Sequence, residues 1–362
     1  MTSVTPNRRR PFAIALTSAA LSLTTLLAAC SSAPPPAPPP APPPAPVAAV
    51  VPPVSLSPRV IEQAAAYRAY VAHASGISTN FANGADVAQS LKTGEAYEPG
   101  ALLRGAIAYG AVVALQDPAY VAGVRKYVGD PEQRRTVAYE IMKDPAYAVG
   151  FAGSASAAGL VIAALGEDGK KVLDQGRNVH KAAYDVQHQA WSKSDVPGRD
   201  GRLALAKELS SQAGLGEIAE TQRLQTAVAG PGQMGLTPQS AEPPYTSEVI
   251  HSLAVAALAA LGYADDRSLG QVMPILAEPD GALCLNMAKL NLYQCLAVAR
   301  PHYEDVFCLG QHALEDTGQC LMKGVGVAEP VDSRRQAADA AALEEAQANS
   351  SARAKAKKRS KN

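Results

Sequence analysis

Three Asp-Pro pairs in the first half of this chain constrain its fold more than any other feature. The pairs are Asp117-Pro118, Asp130-Pro131 and Asp144-Pro145. An aspartate accepts hydrogen bonds from the free N–H groups of a helix start, and the φ angle of proline suits the first helical turn. Each pair therefore predicts the end of one helix and the start of another. We expect successive helices near 118–128, 131–143 and 145–165.

Apolar residues recur at helical spacing through the rest of the body. Further helix starts are expected at Ser57-Pro58, Glu98-Pro99 and Thr246 or Ser247, and Gly76 and Gly262 are expected to end helices. No segment has the alternating pattern of a convincing strand. We therefore predict an all-α fold, a multi-helix bundle of short helices punctuated by proline and glycine, which ends in a disulfide-clasped helical hairpin.

Composition divides the chain into six segments. They are a signal peptide at 1–29, a Pro-rich tether at 30–57, a helical domain at 58–230, a Gly/Pro-rich loop at 231–245, a C-terminal helical segment with four cysteines at 246–327, and a tail at 328–362 that is Ala-rich, then basic, and expected to be disordered. The tether contains PPPAPPPAPPPAP, which favours polyproline II. At about 3.1 Å per residue, residues 31–56 could reach roughly 80 Å.

The first thirty residues have the order of an export signal. A basic run at residues 8–10 precedes an apolar stretch at 12–27, and Ala28 and Ala29 supply small side chains before Cys30. The run Leu-Ala-Ala-Cys at 27–30 resembles the lipobox of bacterial lipoproteins. The resemblance implies that Cys30 is the lipid attachment site. Ser31 stands where lipoproteins retained in the inner membrane carry aspartate, which implies attachment to the outer membrane, facing the periplasm. The alternatives are an ordinary cleaved signal or an uncleaved helix of about 18 residues.

Charge is distributed unevenly along the chain. Lys+Arg and Asp+Glu each total 33, so removal of the three arginines at 8–10 leaves a net charge of −3. The last ten residues carry six cations and no acid, which leaves −9 on the body. An acidic body lacks the basic face of a nucleic-acid-binding core, so no nucleic acid is expected as a partner. The basic tail could contact anionic lipid or polymer; a solvated tail is the alternative.

The four remaining cysteines favour disulfides over a zinc site. Cys284, Cys295, Cys308 and Cys320 are too far apart in sequence for the short pairs of zinc motifs, and an exported chain meets oxidising chemistry. Residues 284–295 fit a helix, in which the two sulfurs face one side about 16 Å apart, beyond disulfide reach. A second helix over 306–321 would return after Pro301. An antiparallel hairpin then pairs Cys284 with Cys320 and Cys295 with Cys308. This layout resembles the twin-cysteine helical hairpins of intermembrane-space proteins; the spacings differ, and no function is carried over.

No catalytic, cofactor or metal site is predicted from the remaining polar residues. His180 and His188 would lie about 12 Å apart on one helix, too far to share a metal. The small residues at 150–159 favour close helix packing, because no G-x-S-x-G elbow follows a strand. Nine of the thirteen tyrosines precede residue 200 and could line a groove or bury their rings.

Three functions fit these observations. The first is a non-catalytic lipid-anchored envelope protein, a scaffold or accessory subunit whose partners are the membrane and other envelope proteins. The second is a cell-wall-acting enzyme. Residues 232–238 resemble in composition, though not in order, the Gly-Leu-Met-Gln segment of lytic transglycosylases, and Glu220 is the only nearby candidate for the catalytic acid. The third is a periplasmic module that binds a small hydrophobic or peptide ligand.

Overall fold

Local helix signals set most of the observed architecture. The computed structural model describes residues 51–237 and 239–330, and within these ranges the fold is all-α, as predicted. The α-helices are α1 Pro58–Ser75, α2 Gly84–Glu95, α3 Pro99–Ala114, α4 Pro118–Arg125, α5 Pro131–Lys143, α6 Ser154–Val186, α7 Arg199–Leu209, α8 Ile218–Val228, α9 Ser247–Leu261, α10 Leu269–Ile275, α11 Pro279–Val298, α12 His302–Cys308 and α13 Asp316–Gly324. The signal peptide, Cys30, the polyproline run and the basic tail lie outside the described residues.

A capping side chain followed by proline starts five of these helices. Ser57, Glu98, Asp117, Asp130 and Glu278 each accept a hydrogen bond from a backbone N–H of the first turn, and proline follows each of them. Such caps satisfy N–H groups that have no partner within the helix. The helix starts expected at Pro58, Pro99, Pro118 and Pro131 are therefore confirmed.

The helix expected over 145–165 is confirmed only from Ser154 onward, and its expected start at Pro145 is wrong because the chain turns before α6 begins. Residues Pro145–Gly150 form a short 3-10 helix that Asp144 caps. Gly153 then adopts φ of +86°, and a Cβ there would lie 2.4 Å from the backbone N of Tyr120. Only glycine tolerates both the left-handed backbone and this approach. Helix α2 was not predicted from the sequence.

The core forms around α3, α6 and α9. Nearly all of α9 from Ser252 to Leu261 is buried, as is α3 from Leu102 to Ala114 apart from Arg104. The helices approach closely, since a Cβ on Gly110 of α3 would lie 2.3 Å from Oγ of Ser252 in α9. All described residues belong to one compact unit. Residues before α1 also contact it, because the Ser55 N–H donates to the carbonyl of Ala259 and Leu56 is buried.

The C-terminal hairpin has the predicted nested disulfides. Cys284 is bonded to Cys320 and Cys295 to Cys308, with a Cα–Cα distance of 5.7 Å in both pairs. The returning arm is longer than expected. It runs through α12, a π-helical turn at Leu309–Glu315 and α13 without a break.

The returning arm packs against α6 at backbone distance. A Cβ on Gly318 of α13 would lie 2.4 Å from the backbone N of Leu173 in α6, and one on Gly176 of α6 would lie 2.5 Å from the backbone N of Glu315. Glycines on both helices permit this approach. The hairpin is therefore part of the core rather than an appendage.

Candidate functional site: a cleft beside α1

A cleft of about 830 Å³ opens between α1, the turn from α2 to α3, and the segment that leads into α8. Its volume lies within the range of roughly 300–1,000 Å³ that is typical of ligand pockets. Tyr70 of α1 and Tyr97 of the α2–α3 turn line it, together with residues 213–216 and Ile218.

Two tyrosine rings form an apolar floor. The rings of Tyr70 and Tyr97 meet edge to face, with centroids 4.8 Å apart. Their hydroxyl groups bond to the protein: Tyr97 Oη is 2.7 Å from Oγ1 of Thr317, and Tyr70 Oη donates to the carbonyl of Gly94 over 3.4 Å. Burial raises the pKa of both tyrosines above the ordinary value. Both phenols therefore stay protonated at neutral pH, and both side chains are almost fully buried beneath the cleft.

The rim of the cleft carries two large apolar side chains in water. Leu215 is 90% exposed and Ile218 is 79% exposed. Gly216 between them lies against α1, where an added Cβ would be 2.6 Å from Cβ of Ala65. The segment is thus held to α1 at Gly216, while its neighbours extend into solvent. Exposed apolar residues beside a pocket are typical of interaction sites.

The polar groups of the cleft include an amide with spare hydrogen-bonding capacity. Nε2 of Gln63 lies 3.6 Å from the sulfur of Met273, while its Oε1 is buried and has no hydrogen-bond partner. Glu98 is occupied by its capping role, since its carboxylate accepts from the N–H groups of Gly100 and Ala101. The amide oxygen of Gln63 is thus enclosed by protein atoms at the edge of the cleft, and the carboxylate of Glu98 is already used at the start of α3.

A buried lysine supports the floor from behind. Nζ of Lys289 in α11 lies 3.5 Å from the ring centroid of Tyr97 and donates to the carbonyl of Glu95 over 2.5 Å. Burial lowers the pKa of Lys289 and raises that of Glu95 to about 7, although each residue favours the charged form of the other. Lys289 thus fixes the Glu95–Tyr97 turn from within the core, where the cation faces an aromatic ring.

Glu220, the acid considered for cell-wall chemistry, is held as a carboxylate. Arg223 donates to both of its oxygens, over 2.7 and 2.8 Å, and Nε of Arg68 lies 3.5 Å away. The hydrogen bonds from Arg223 lower the pKa of Glu220 below the ordinary value. A general acid at neutral pH needs a raised pKa. The geometry therefore does not favour proton donation by Glu220.

The histidines singled out in the sequence lie away from the cleft. Nδ1 of His180 lies 2.9 Å from a carboxylate oxygen of Glu315, and its ring stacks with Tyr184. His188 is exposed near the end of the α6 region. Across the described part of the chain, no three His, Cys, Asp or Glu side chains are grouped so that they could hold a metal ion.

Sequence reasoning left open whether the tyrosines line a groove, and the structure divides them. Tyr67, Tyr70, Tyr97, Tyr109 and Tyr120 are all buried, and of these only Tyr70 and Tyr97 lie at the wall of the cleft. Sequence reasoning missed the rim altogether. The one sequence feature that could have indicated the rim is Gly214-Leu215-Gly216, in which an apolar residue stands between two glycines.

Comparison with known proteins adds no relative. No protein-family model, curated protein or solved structure matches this chain.

Between Val51 and Pro330, no single helix has the length and apolar character needed to cross a bilayer. Only α3 and α4 taken together meet that requirement, and they are bent by 87° at the break between them.

Proposed function

We propose that this chain is a lipid-anchored bacterial envelope protein whose helical body is a non-catalytic binding module. In this proposal Cys30 attaches the chain to the outer membrane, and the cleft beside α1 receives an apolar segment of another envelope protein. The observation that carries the binding role is the exposure of Leu215 and Ile218 at the rim of that cleft. The anchor itself rests on the lipobox resemblance of residues 27–30.

The rim favours a protein partner over a small molecule. A ligand confined to the floor at Tyr70 and Tyr97 would leave Leu215 in water, whereas a protein surface can cover the floor and rim together. Burying one such leucine contributes about 1.5–3 kcal/mol. The charged side chains at the mouth, Arg59 and Glu62, have opposite signs and suit a neutral segment.

The tether explains how such a module could reach its partner. Residues 31–51 precede the part of the chain that contacts the body, and in polyproline II they would span roughly 65 Å. A body on such a tether could bind partners well away from its own membrane. A scaffold or accessory subunit needs this reach, whereas Glu220, with its lowered pKa, does not suit the acid role in cell-wall hydrolysis.

In-cell photo-crosslinking tests the proposal on the full-length anchored protein. A photoreactive residue at Leu215 should give a discrete crosslink to an exported protein, mapped by mass spectrometry to an apolar segment. Ile218→Asp should abolish that crosslink, because it places a charge on the rim. Tyr139 is 59% exposed on α5 and serves as the control position. Identical crosslinks from positions 215 and 139, or a crosslink that survives Ile218→Asp, would contradict the proposal.

A further inference from the structure

A polar groove, which shares no residue with the cleft beside α1, runs along one face of α6. It has a volume of about 650 Å³ and lies between α6 and the loop that joins α1 to α2. Its uncharged polar lining comes from this loop and from α6 with the turn that follows it: Ser78, Thr79, Asn80, Gln175, Asn178 and Gln189. Residues 175 to 186 of α6 extend for about 16 Å at 1.5 Å per residue. The groove is therefore elongated and has the size of a ligand site.

The loop side of the groove is held in place by the body. Nε2 of Gln175 donates to the carbonyl of Ile77 over 2.5 Å, and Oγ of Ser78 accepts from the N–H of Asn80 over 3.0 Å. The side chains of Ile77 and Phe81, at the two ends of this stretch, are buried. A surface that is fixed before binding loses little conformational entropy when a ligand arrives.

Two side-chain amides of the groove, those of Asn80 and Asn178, have their full hydrogen-bonding capacity available to a ligand. Both side chains are exposed, and neither forms a hydrogen bond with another residue that the structure describes. The hydroxyl of Thr79 likewise has no partner in the described part of the chain. Each amide offers two N–H donors and a carbonyl acceptor, and a hydroxyl both donates and accepts. The groove thus presents donors and acceptors side by side.

The charged side chains of the groove provide no surplus of positive charge. Its lining contains one cation and one anion, and Nζ of Lys181 donates to a carboxylate oxygen of Asp185 over 3.3 Å. Asp86, in the first turn of α2, adds a negative charge at one end of the loop, where its carboxylate accepts from the N–H of Ala82. A polyanion would require an excess of cations on this surface, so the charges favour an uncharged ligand.

An aromatic ring lies at the end of the groove. Trp191, the only tryptophan in the chain, is half-buried, and its Nε1 donates to Oε1 of Gln189 over 2.5 Å. The centroid of its ring lies 6.1 Å from that of His302, which packs against Gly84 at the start of α2. Trp191 is thus placed where the loop and the α6 side of the groove both end. The face of an aromatic ring carries negative charge density and attracts polarised C–H groups.

We propose that this groove binds an uncharged sugar chain. Sugar hydroxyl and acetamido groups donate and accept hydrogen bonds together, which matches the amides of Asn80 and Asn178. The C–H face of a sugar ring stacks on an aromatic ring, and Trp191 supplies such a ring. An apolar peptide segment suits the cleft beside α1 but not this groove, because the large apolar residues of the groove lining are buried.

The fluorescence of Trp191 reports directly on the groove, because the chain contains no other tryptophan. Titration of the purified full-length protein with an oligomer of N-acetylglucosamine should change this emission until it saturates. Asn178→Ala should weaken binding about fivefold, the equivalent of roughly 1 kcal/mol for one hydrogen bond. Asn286→Ala, at an exposed position on α11, is the matched control and should leave the affinity unchanged. An emission that does not respond to the oligomer, or equal affinities of the two variants, would overturn the proposal.

Sedimentation assays identify the source of the sugar chain and separate this site from the cleft. In the envelope location proposed above, cell-wall glycan strands and lipopolysaccharide both supply sugar chains. The full-length protein should sediment more than Asn178→Ala with purified cell-wall sacculi or with lipopolysaccharide vesicles, and the material that gives this difference is the source. Ile218→Asp, which alters only the cleft rim, should sediment like the unaltered protein. No difference between Asn178→Ala and the unaltered protein with either material, or a loss in Ile218→Asp alone, would refute the groove as a sugar site.

Discussion

Loss of the outer disulfide should destabilise the whole body, not the hairpin alone. The perturbation is the double replacement Cys284→Ala with Cys320→Ala. Closing a loop of 36 residues restricts the unfolded chain, and the loop-entropy relation gives about 4 kcal/mol for this length. Both cysteines are only half-buried, so little cavity cost is added. A loss of this size is a large share of the roughly 5–15 kcal/mol that stabilises a domain.

The inner disulfide supplies the comparison. Cys295–Cys308 closes 13 residues, for which the same relation gives about 3 kcal/mol. Urea unfolding of both double variants measures the two losses in the free energy of unfolding. The fits use one common slope of free energy against denaturant concentration. Because Cys308 is fully buried, its replacement by alanine also removes packing contacts. The stability losses of the two double variants should therefore differ by less than the loop lengths alone predict.

Hydrogen exchange shows how far the destabilisation spreads. The sequence alone suggests that the hairpin loosens first and that the helices before Gly230 stay folded. The contact of Gly318 with Leu173 predicts instead that α13 and α6 lose protection together. If α13 loses protection in the outer-disulfide variant while α6 keeps its full protection, the reasoning from packing is refuted. A stability loss below about 1 kcal/mol would refute the loop argument.

Three further outcomes can be measured. Gly318→Ala should lower the free energy of unfolding by about 1–3 kcal/mol, because its Cβ would lie 2.4 Å from the backbone N of Leu173. Gly201→Ala in α7 has nothing within 4 Å of the added Cβ and should raise the free energy of unfolding by up to about 1 kcal/mol. Chemical denaturation of both variants tests this, and equal effects would contradict it. Burial, with Glu278 and Asp280 nearby, raises the pKa of Glu248 from 4.5 to about 7, so the native state binds the extra proton and stability should fall as pH rises from about 4.5 to 7. Glu248→Gln should flatten this dependence in thermal melts, and an unchanged pH profile would count against it. Cys30→Ser should release the protein from outer membranes or leave its signal uncleaved, and unaltered processing and fractionation would defeat the lipid anchor.

Several structural features follow from the sequence because their causes are local. Ser57, Glu98 and Asp117 start helices through hydrogen bonds to N–H groups two or three residues away. The disulfide pairing follows from the rise of a helix, which separates Cys284 from Cys295 by too great a distance for a bond. Neither inference requires knowledge of which helices pack together.

The failure of sequence reasoning at residues 145–165 has a tertiary origin. The helix expected over 145–165 breaks at Gly153 because the chain there must pass the backbone of Tyr120. A glycine within an Ala-rich run looks the same whether it serves close packing or a turn. Only the neighbouring helix decides between the two.

The candidate sites depended on long-range packing. Lys289 looks like an ordinary exposed residue of α11, yet it is buried beneath Tyr97, whose hydroxyl bonds to Thr317, 220 residues away in sequence. Likewise, nothing in the sequence distinguishes the buried face of α11 from its exposed apolar face. Helix starts and disulfide register were determined by the sequence itself, through caps, prolines and the helical rise. The cleft and the exposed apolar face of α11 were decided only by the tertiary structure, because burial depends on which distant helices meet.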